Sequence, residues 1–415
     1  MRRYPRHRVE FFLALGGLAA IGPLSMDMFF PALPAIGRDL DVAPSAVMLT
    51  VTAYFIGLTI GQGVGPVSDI VGRRRPLLIG VILFMAASLA CATAQSVEVL
   101  AAARFVQGLT AAVGVVLSRA IVRDLYSGTD VARHYSTLIF MVGLTAVVSP
   151  TIATSILGLT SWRGIFVTLF VIGAVLLLVV ALRLPESLPR ERRVVGSVRA
   201  TRQTYGVLVL DRRFLGYGLT LACVTGAFVT LVTGSTFVVQ DEFGVSAQGF
   251  AFMFSVAALA VVVATVVNRR LLRRFSSRRL LLAGLVANAA GALGLLLVGR
   301  LGMLPYAACF VLVLAMWGFI AANATAIALS DYASMAGAAL ALLGLMQYTA
   351  GALAAPLAGA VGNSSAVSVG IVVSCFCLVG LATAALTVRS AKRAAVSPAS
   401  CTAGRQGRAS ARASR

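Results

Sequence analysis

The sequence predicts an all-α integral membrane protein: twelve transmembrane helices in two pseudo-symmetric six-helix bundles. Three observations carry this. Of 415 residues, 59% are hydrophobic and only 12% charged, with a mean hydropathy of +0.94. The apolar residues fall into runs of about 20, the length that matches the hydrocarbon thickness of a bilayer. The arginines, finally, gather in every second connection between those runs.

In chain order, the runs predict helices near 11–30, 45–65, 77–94, 99–122, 135–157 and 164–182. A charged segment follows, and a second set lies near 214–237, 247–268, 280–298, 305–328, 336–358 and 366–388. The expected organisation is a first bundle over 1–183, a cytoplasmic linker over 184–212, a second bundle over 213–390 and a disordered tail over 391–415. The linker has no apolar run from which to build a domain. The tail is rich in Ser, Ala and Arg, a composition that buries too little apolar surface to fold. The N-terminus is basic and then apolar like a secretory signal, but it lacks a small-x-small cleavage site, so it is expected to stay as the first helix.

A net charge of +21 raises the question of nucleic acid. Its distribution argues instead for the positive-inside bias. Arginines cluster at 2–8, 73–75, 123 and 133, then over 183–213, 269–279 and 389–415, whereas the other connections hold only Arg38, Arg163 and Arg300. Both termini are therefore expected to be cytoplasmic, with no nucleic-acid partner and the lipid bilayer as the surroundings. Lys392 is the one lysine, a bias that fits a GC-rich bacterium and its cytoplasmic (inner) membrane. The six cysteines (91, 223, 309, 375, 377 and 401) have neither metal-knuckle nor CxxC spacing and read as small apolar residues.

Two internal echoes suggest a duplication. The segments 143–155 and 349–361 place Pro150 and Pro356 in the fifth and eleventh helices, 206 positions apart. RRRPLL from Arg73 is echoed by SRRLLL from Ser277, 204 positions on, with Arg273 where the first copy has Asp69. Parallel repeats with matching interrupted helices are a transporter architecture, with the site near the midplane between halves.

Asp27 is the leading candidate for chemistry, because an ionisable group within a span is costly. At about 1.5 Å per residue from Phe11 it lies about 24 Å along the helix, in the outer part of the bilayer. Two readings stand: a helix end wetted near Pro31 and Pro34, or a desolvated carboxylate on which protons and cations compete. Arg104, in the fourth helix, falls at a similar depth. It is either a snorkelling side chain or a partner of Asp27, more through a shared polar network or cavity than by a direct pair. Arg119 and Arg123, followed by Asp124, end the same helix, and the two arginines are expected to close salt bridges with Asp69 or with neighbouring helix ends.

Gly57, Gly61 and Gly65 form a GxxxGxxxG ridge that favours close helix packing over nucleotide binding. Tyr54, Trp317 and Gln347 are the polar and aromatic residues best placed at mid-depth for a substrate cavity. No nucleophile–base pair, metal-ligand set or Walker motif is present. The expectation is a protein that is not an enzyme, needs no cofactor and uses no ATP.

The loop Gly65-Pro66-Val67-Ser68-Asp69-Ile70-Val71-Gly72-Arg73-Arg74-Arg75-Pro76 resembles the loop signature of the major facilitator superfamily. Residues 25–34 (SMDMFFPALP), 104–108 (RFVQG), 119–126 (RAIVRDLY), 162–166 (WRGIF) and 184–188 (LPESL) together resemble the bicyclomycin/chloramphenicol-type exporters among the twelve-helix drug:proton antiporters. The match covers nearly all of the first half; the second resembles the family mainly in layout and over 245–254. The resemblance implies proton-driven export of drugs by alternating access. It implies gating roles for Gly65, Asp69, Gly72, Arg73, Arg123 and Pro150, coupling at Asp27, and proton relay at Arg104. Around Pro150 the family's glycines are replaced over 151–154, which puts tight packing of that helix in question.

The expected partners are protons and an amphipathic small molecule, handled by a monomer. The alternatives are an uptake symporter for a small metabolite, which would call for a more polar cavity than these Ala/Val/Leu-rich helices offer, and a non-transporting receptor.

Overall fold

The computed structural model describes residues 9–126, 129–193, 205–298, 301–332, 335–360 and 365–396. Among them are twelve helical spans long and apolar enough to cross a membrane. The first half comprises α1 (Val9–Asp27), α2 (Leu33–Asp39), α3 (Pro44–Gly61), α4 (Val64–Val71), α5 (Arg74–Ala92), α6 (Val97–Leu125), α7 (Thr129–Leu159) and α8 (Trp162–Arg183). The second comprises α9 (Arg212–Phe237), α10 (Ala247–Leu271), α11 (Ser277–Val298), α12 (Met303–Leu329), α13 (Ala336–Ala360) and α14 (Ala366–Val396). The last helix thus runs six residues past the expected boundary at 390. Residues 397–415 and 194–204 of the expected tail and linker lie outside the described residues.

Two predicted helices are interrupted. The first ends at Asp27, passes through a 3-10 turn over Phe30–Ala32 and resumes as α2. Pro31 and Pro34 sit in the first turns of those two pieces, where a missing amide costs nothing. The second breaks after Gly61 and restarts at Val64, so the Gly57–Gly61–Gly65 ridge is not one continuous stripe. Gly57 and Gly61 do permit close packing. A Cβ on Gly57 would lie 2.1 Å from the Phe105 carbonyl oxygen, and one on Gly61 would lie 2.4 Å from that of Leu109. Gly108 answers from α6, where a Cβ would lie 2.1 Å from the Tyr54 carbonyl. Gly65 faces only Val116, at 3.5 Å, and takes no part.

The halves meet along two seams, α3 against α13 and α7 against α10. These are the second span on the fifth of the opposite half, and the reverse, as a pseudo-twofold requires. α1 and α9 are enclosed along most of their length, while Phe140, Leu182, Phe252 and Leu297 stand exposed on the perimeter, as lipid contact demands. One apolar core joins both halves at the face away from the arginine-rich ends, around Phe29, Phe30, Phe250 and Phe310. Toward the basic face it gives way to two separate cores, around Leu77 and Ile121 in the first half and around Phe214 and Leu285 in the second.

Candidate functional site

Helix α1 stops at Asp27 because the chain tightens there: the Phe29 amide bonds to the Met26 carbonyl instead of that of Ser25. The end of α1 is thereby set against α6. Asp27 is 8% exposed and, among the described residues, makes no hydrogen bond or ion pair. Arg104 is fully buried. The structure therefore brings the two to the same level without pairing them directly.

What holds the Arg104 guanidinium is neutral. One Nη donates to Gln107 Oε1 at 2.6 Å and lies 3.5 Å from the Ser25 carbonyl, and the other meets the Met26 sulfur at 2.8 Å. The cation lies 4.2 Å from the Phe29 ring centroid and 4.1 Å from that of Tyr54, with Phe166 at 5.9 Å. Aromatic faces offer a desolvated cation electrostatic attraction without a counter-charge. Gln107 is fixed in turn by donating to Ser88 at 2.7 Å. The Arg104 Nε finds no partner.

Tyr54 links the two elements. Its hydroxyl bonds with Ser25 Oγ at 2.6 Å and donates to the Gly22 carbonyl at 2.9 Å. Its neighbour Phe55 meets the Tyr348 ring across the α3–α13 seam, with centroids 6.3 Å apart. Gln347, also on α13, donates to Thr225 at 3.3 Å, and Trp317 packs on Phe228 at 5.6 Å. Both are half-buried in the second half, away from the Arg104 group.

The loop at the basic face forms a second constellation. Arg73, 2% exposed, donates to Asp124 at 2.9 Å, Asp69 at 2.5 Å and Ser68 at 2.5 Å. Burial works against its charge, but the two carboxylates outweigh that and raise its pKa. Asp69 thus binds Arg73; among the described residues neither Arg119 nor Arg123 forms a salt bridge with Asp69 or with a neighbouring helix end. Arg119 offers its carbonyl to Tyr135, and Arg123 reaches across to α13, its Nη 2.8 Å from where a Cβ on Gly337 would sit. Gly72 has φ +99°, a conformation that favours glycine, and a Cβ there would lie 2.5 Å from Glu186. The Glu186 carboxylate accepts the Arg73 and Arg74 amides at 2.8 and 3.3 Å, capping α5 from the far end of α8. Pro150 lies within an unbroken α7, and close by the Val147 carbonyl accepts a cross-half bond from Ser255 at 2.8 Å.

Sequence reasoning missed several partners. Gln107 stands three residues from Arg104 and so on its face, a signal the quoted RFVQG string already contained. Nothing local pointed to Ser25, Ser88 or Glu186 as specific partners. Nor did anything reveal the bond between Arg38 and Asp241, 3.4 Å apart, which ties α2 to the end of the seventh span.

A two-bundle, twelve-span architecture with charged groups buried between helices defines a multi-pass membrane transporter. The chain belongs to the Major Facilitator Superfamily, whose family model matches residues 15–356; it is a family of transporters and not of enzymes. An uncharacterized MFS-type transporter, YdgK of Bacillus subtilis, is 37% identical over 90% of this chain and 94% of its own. A bicyclomycin resistance protein homolog of Haemophilus influenzae is 30% identical over 83% and 87%. A chloramphenicol resistance protein of Pseudomonas aeruginosa is 30% identical over 68% and 66%. These relatives support membership of the drug:proton antiporter branch. Among solved structures, a bacterial Spinster homologue in an inward-facing, occupied conformation superposes with a TM-score of 0.73 at 15% identity, covering 91% of this chain and 96% of that one. A D-xylose-proton symporter gives 0.71 at 16%, with the same coverage. At such identities the likeness is one of fold.

Proposed function

We propose that this protein exports amphipathic, drug-like small molecules from a bacterial cytoplasm in exchange for protons, as a monomer in the inner membrane with both termini cytoplasmic. The observation that carries the reading is Asp27: a nearly buried carboxylate without a partner, next in the chain to Met26, whose sulfur meets an Arg104 cation already held by neutral groups. An unpaired charge in a membrane interior is costly. Such a carboxylate is relieved either by taking a proton or by receiving a cationic or donor group of the substrate. The two exclude one another, and that exclusion couples two fluxes in opposite directions. No ATP or cofactor enters this scheme, and the names of the resistance-protein relatives support the drug class.

Arg104 keeps the neighbourhood positive and is linked to α3 through Ser25 and Tyr54, so a change of charge at Asp27 is felt at the α3–α13 seam. Arg73, Asp69, Asp124 and Gly72 form the latch that the basic-face loop makes in one conformation and releases in the other. Arg123 and Pro150 lie on the moving seams. Tyr54, Trp317 and Gln347 are proposed to face the substrate path.

The test uses purified protein in liposomes with an imposed pH gradient and a panel of antibiotics. Wild type should release protons when a substrate is added, and Asp27→Asn should lose that release while still binding the compound. Equal responses from both would move coupling away from Asp27. Proton movement in the same direction as the compound would make the protein an uptake symporter.

A further inference from the structure

The turn joining α10 to α11 carries six arginines between positions 269 and 279 and no acidic residue. Its counterpart in the first half is neutralised from within: Arg73 holds Asp69 and Asp124, and Glu186 caps the helix that follows. The second half has Arg273 where the first has Asp69. Among the described residues, Arg269, Arg270, Arg273 and Arg274 have no ion pair and no side-chain hydrogen bond. All four are exposed, and with Leu271 they line a concavity of about 550 Å³. Arg278 is turned elsewhere, lining a smaller hollow with Asp211 and Asp331.

Four cations converging on one hollow repel each other until an anion enters. Guanidinium groups match phosphate oxygens in a bidentate fork. The hollow lies where two candidate membrane spans end, and beside it Leu272 and Phe275 stand 41% and 44% exposed, offering an apolar surface to acyl chains. Basic pockets between helix ends at a membrane surface attract anionic headgroups.

We propose that the α10–α11 turn is a binding site for an anionic phospholipid, its phosphate held by Arg269, Arg270, Arg273 and Arg274. Assigning that lipid to the inner leaflet rests on the orientation given above; the chemistry of the site does not. The lipid supplies from outside the negative charge that Asp69 supplies in the first half.

The test is lipid retention by the full-length protein, read by native mass spectrometry after exchange from phosphatidylglycerol into zwitterionic detergent. Wild type should keep phosphatidylglycerol. A variant with Arg269, Arg270, Arg273 and Arg274 all changed to Gln should keep several hundredfold less, since each basic residue near an anionic surface contributes about a fivefold factor. A charge-matched control with Arg75, Arg133, Arg183 and Arg212 changed to Gln should keep it as wild type does. Equal loss in both variants, or no retained lipid in wild type, overturns the site. Inorganic phosphate is the second probe: displacement of the lipid at equal concentration overturns the lipid assignment in favour of a soluble anion, and failure to displace supports it. Should the fourfold variant fail to fold, Arg270→Gln with Arg273→Gln carries the same test with a smaller loss. Lipid retention needs no transport, so these outcomes stand apart from those of the antiport assay.

Discussion

A guanidinium buried without a carboxylate has to be satisfied by neutral partners, and around Arg104 the arrangement depends on Gln107. Its 2.6 Å bond is a hydrogen bond to a charged group, of the kind worth roughly 1.5–3 kcal/mol. Gln107→Leu should therefore lower stability by about that amount, seen as a lower unfolding temperature in detergent. Gln107→Glu supplies a counter-charge at the same place and should leave the fold intact. A Leu variant as stable as wild type would show that the aromatic faces, the Ser25 carbonyl and the Met26 sulfur hold the cation without Gln107. Asp27 and Arg104 could be read from the sequence because ionisable residues in apolar runs are conspicuous. That they do not pair directly agrees with the favoured reading, but which groups surround them could not be read. Those surroundings depend on how α1 and α6 are rotated, and on Ser25, Gln107 and Ser88, whose residue types are commonplace in membrane helices. Glu186 escaped for a different reason: it caps a helix that begins 112 positions earlier, at Arg74.

At the level of elements, the α3–α6 contact sets the position of Tyr54, and backbone proximity sets that contact. A methyl group on Gly57 would meet the Phe105 carbonyl and the Leu109 amide, neither of which can move without shifting a helix. Gly57→Ala should cost about 1–3 kcal/mol through overpacking and displace Tyr54 from Ser25. Gly65→Ala, with only Val116 at 3.5 Å, should be close to neutral. Thermal unfolding of the two variants side by side checks this, and equal effects would remove the close-packing role of Gly57. The sequence shows three glycines at helical spacing and so suggests one ridge. The break at Gln62 and Gly63 removes Gly65 from it, because a helix that restarts does not keep its phase. The span count and the two halves were legible, because hydropathy and arginine placement are properties of whole segments. A helix end at Asp27 was one of two open readings, because Pro31 and Pro34 follow it; the break after Gly61 was not legible, since a local backbone turn without proline leaves little trace in an apolar run.

For the molecule as a whole, the division of the apolar core indicates where opening is resisted. The halves share one core at the end away from the basic face and have separate cores near it. Alternating access therefore requires the shared end to part. Polar contacts reinforce that end: Arg38 meets Asp241 at 3.4 Å, and Gln240 donates to the Pro31 carbonyl at 3.2 Å. Asp39 pins Arg163 at 2.6 Å within the first half, so α2 moves as part of a rigid body. The ion pair itself is open to solvent, with side chains 66% and 49% exposed, and a pair so exposed contributes only about 0.2–1 kcal/mol. Breaking it cannot force the molecule open, but it should shift the two-state balance by a factor of roughly 1.4 to 5. Arg38→Asp should raise labelling of a cysteine introduced at Phe30, which lies behind the pair against Phe254. Adding Asp241→Arg restores opposite charges in reversed order and should return labelling toward the level without the charge change. If the single substitution leaves labelling unchanged, closure of this end rests on the aromatic core alone. If the double substitution fails to reverse the increase, the effect of Arg38 comes from packing and not from charge.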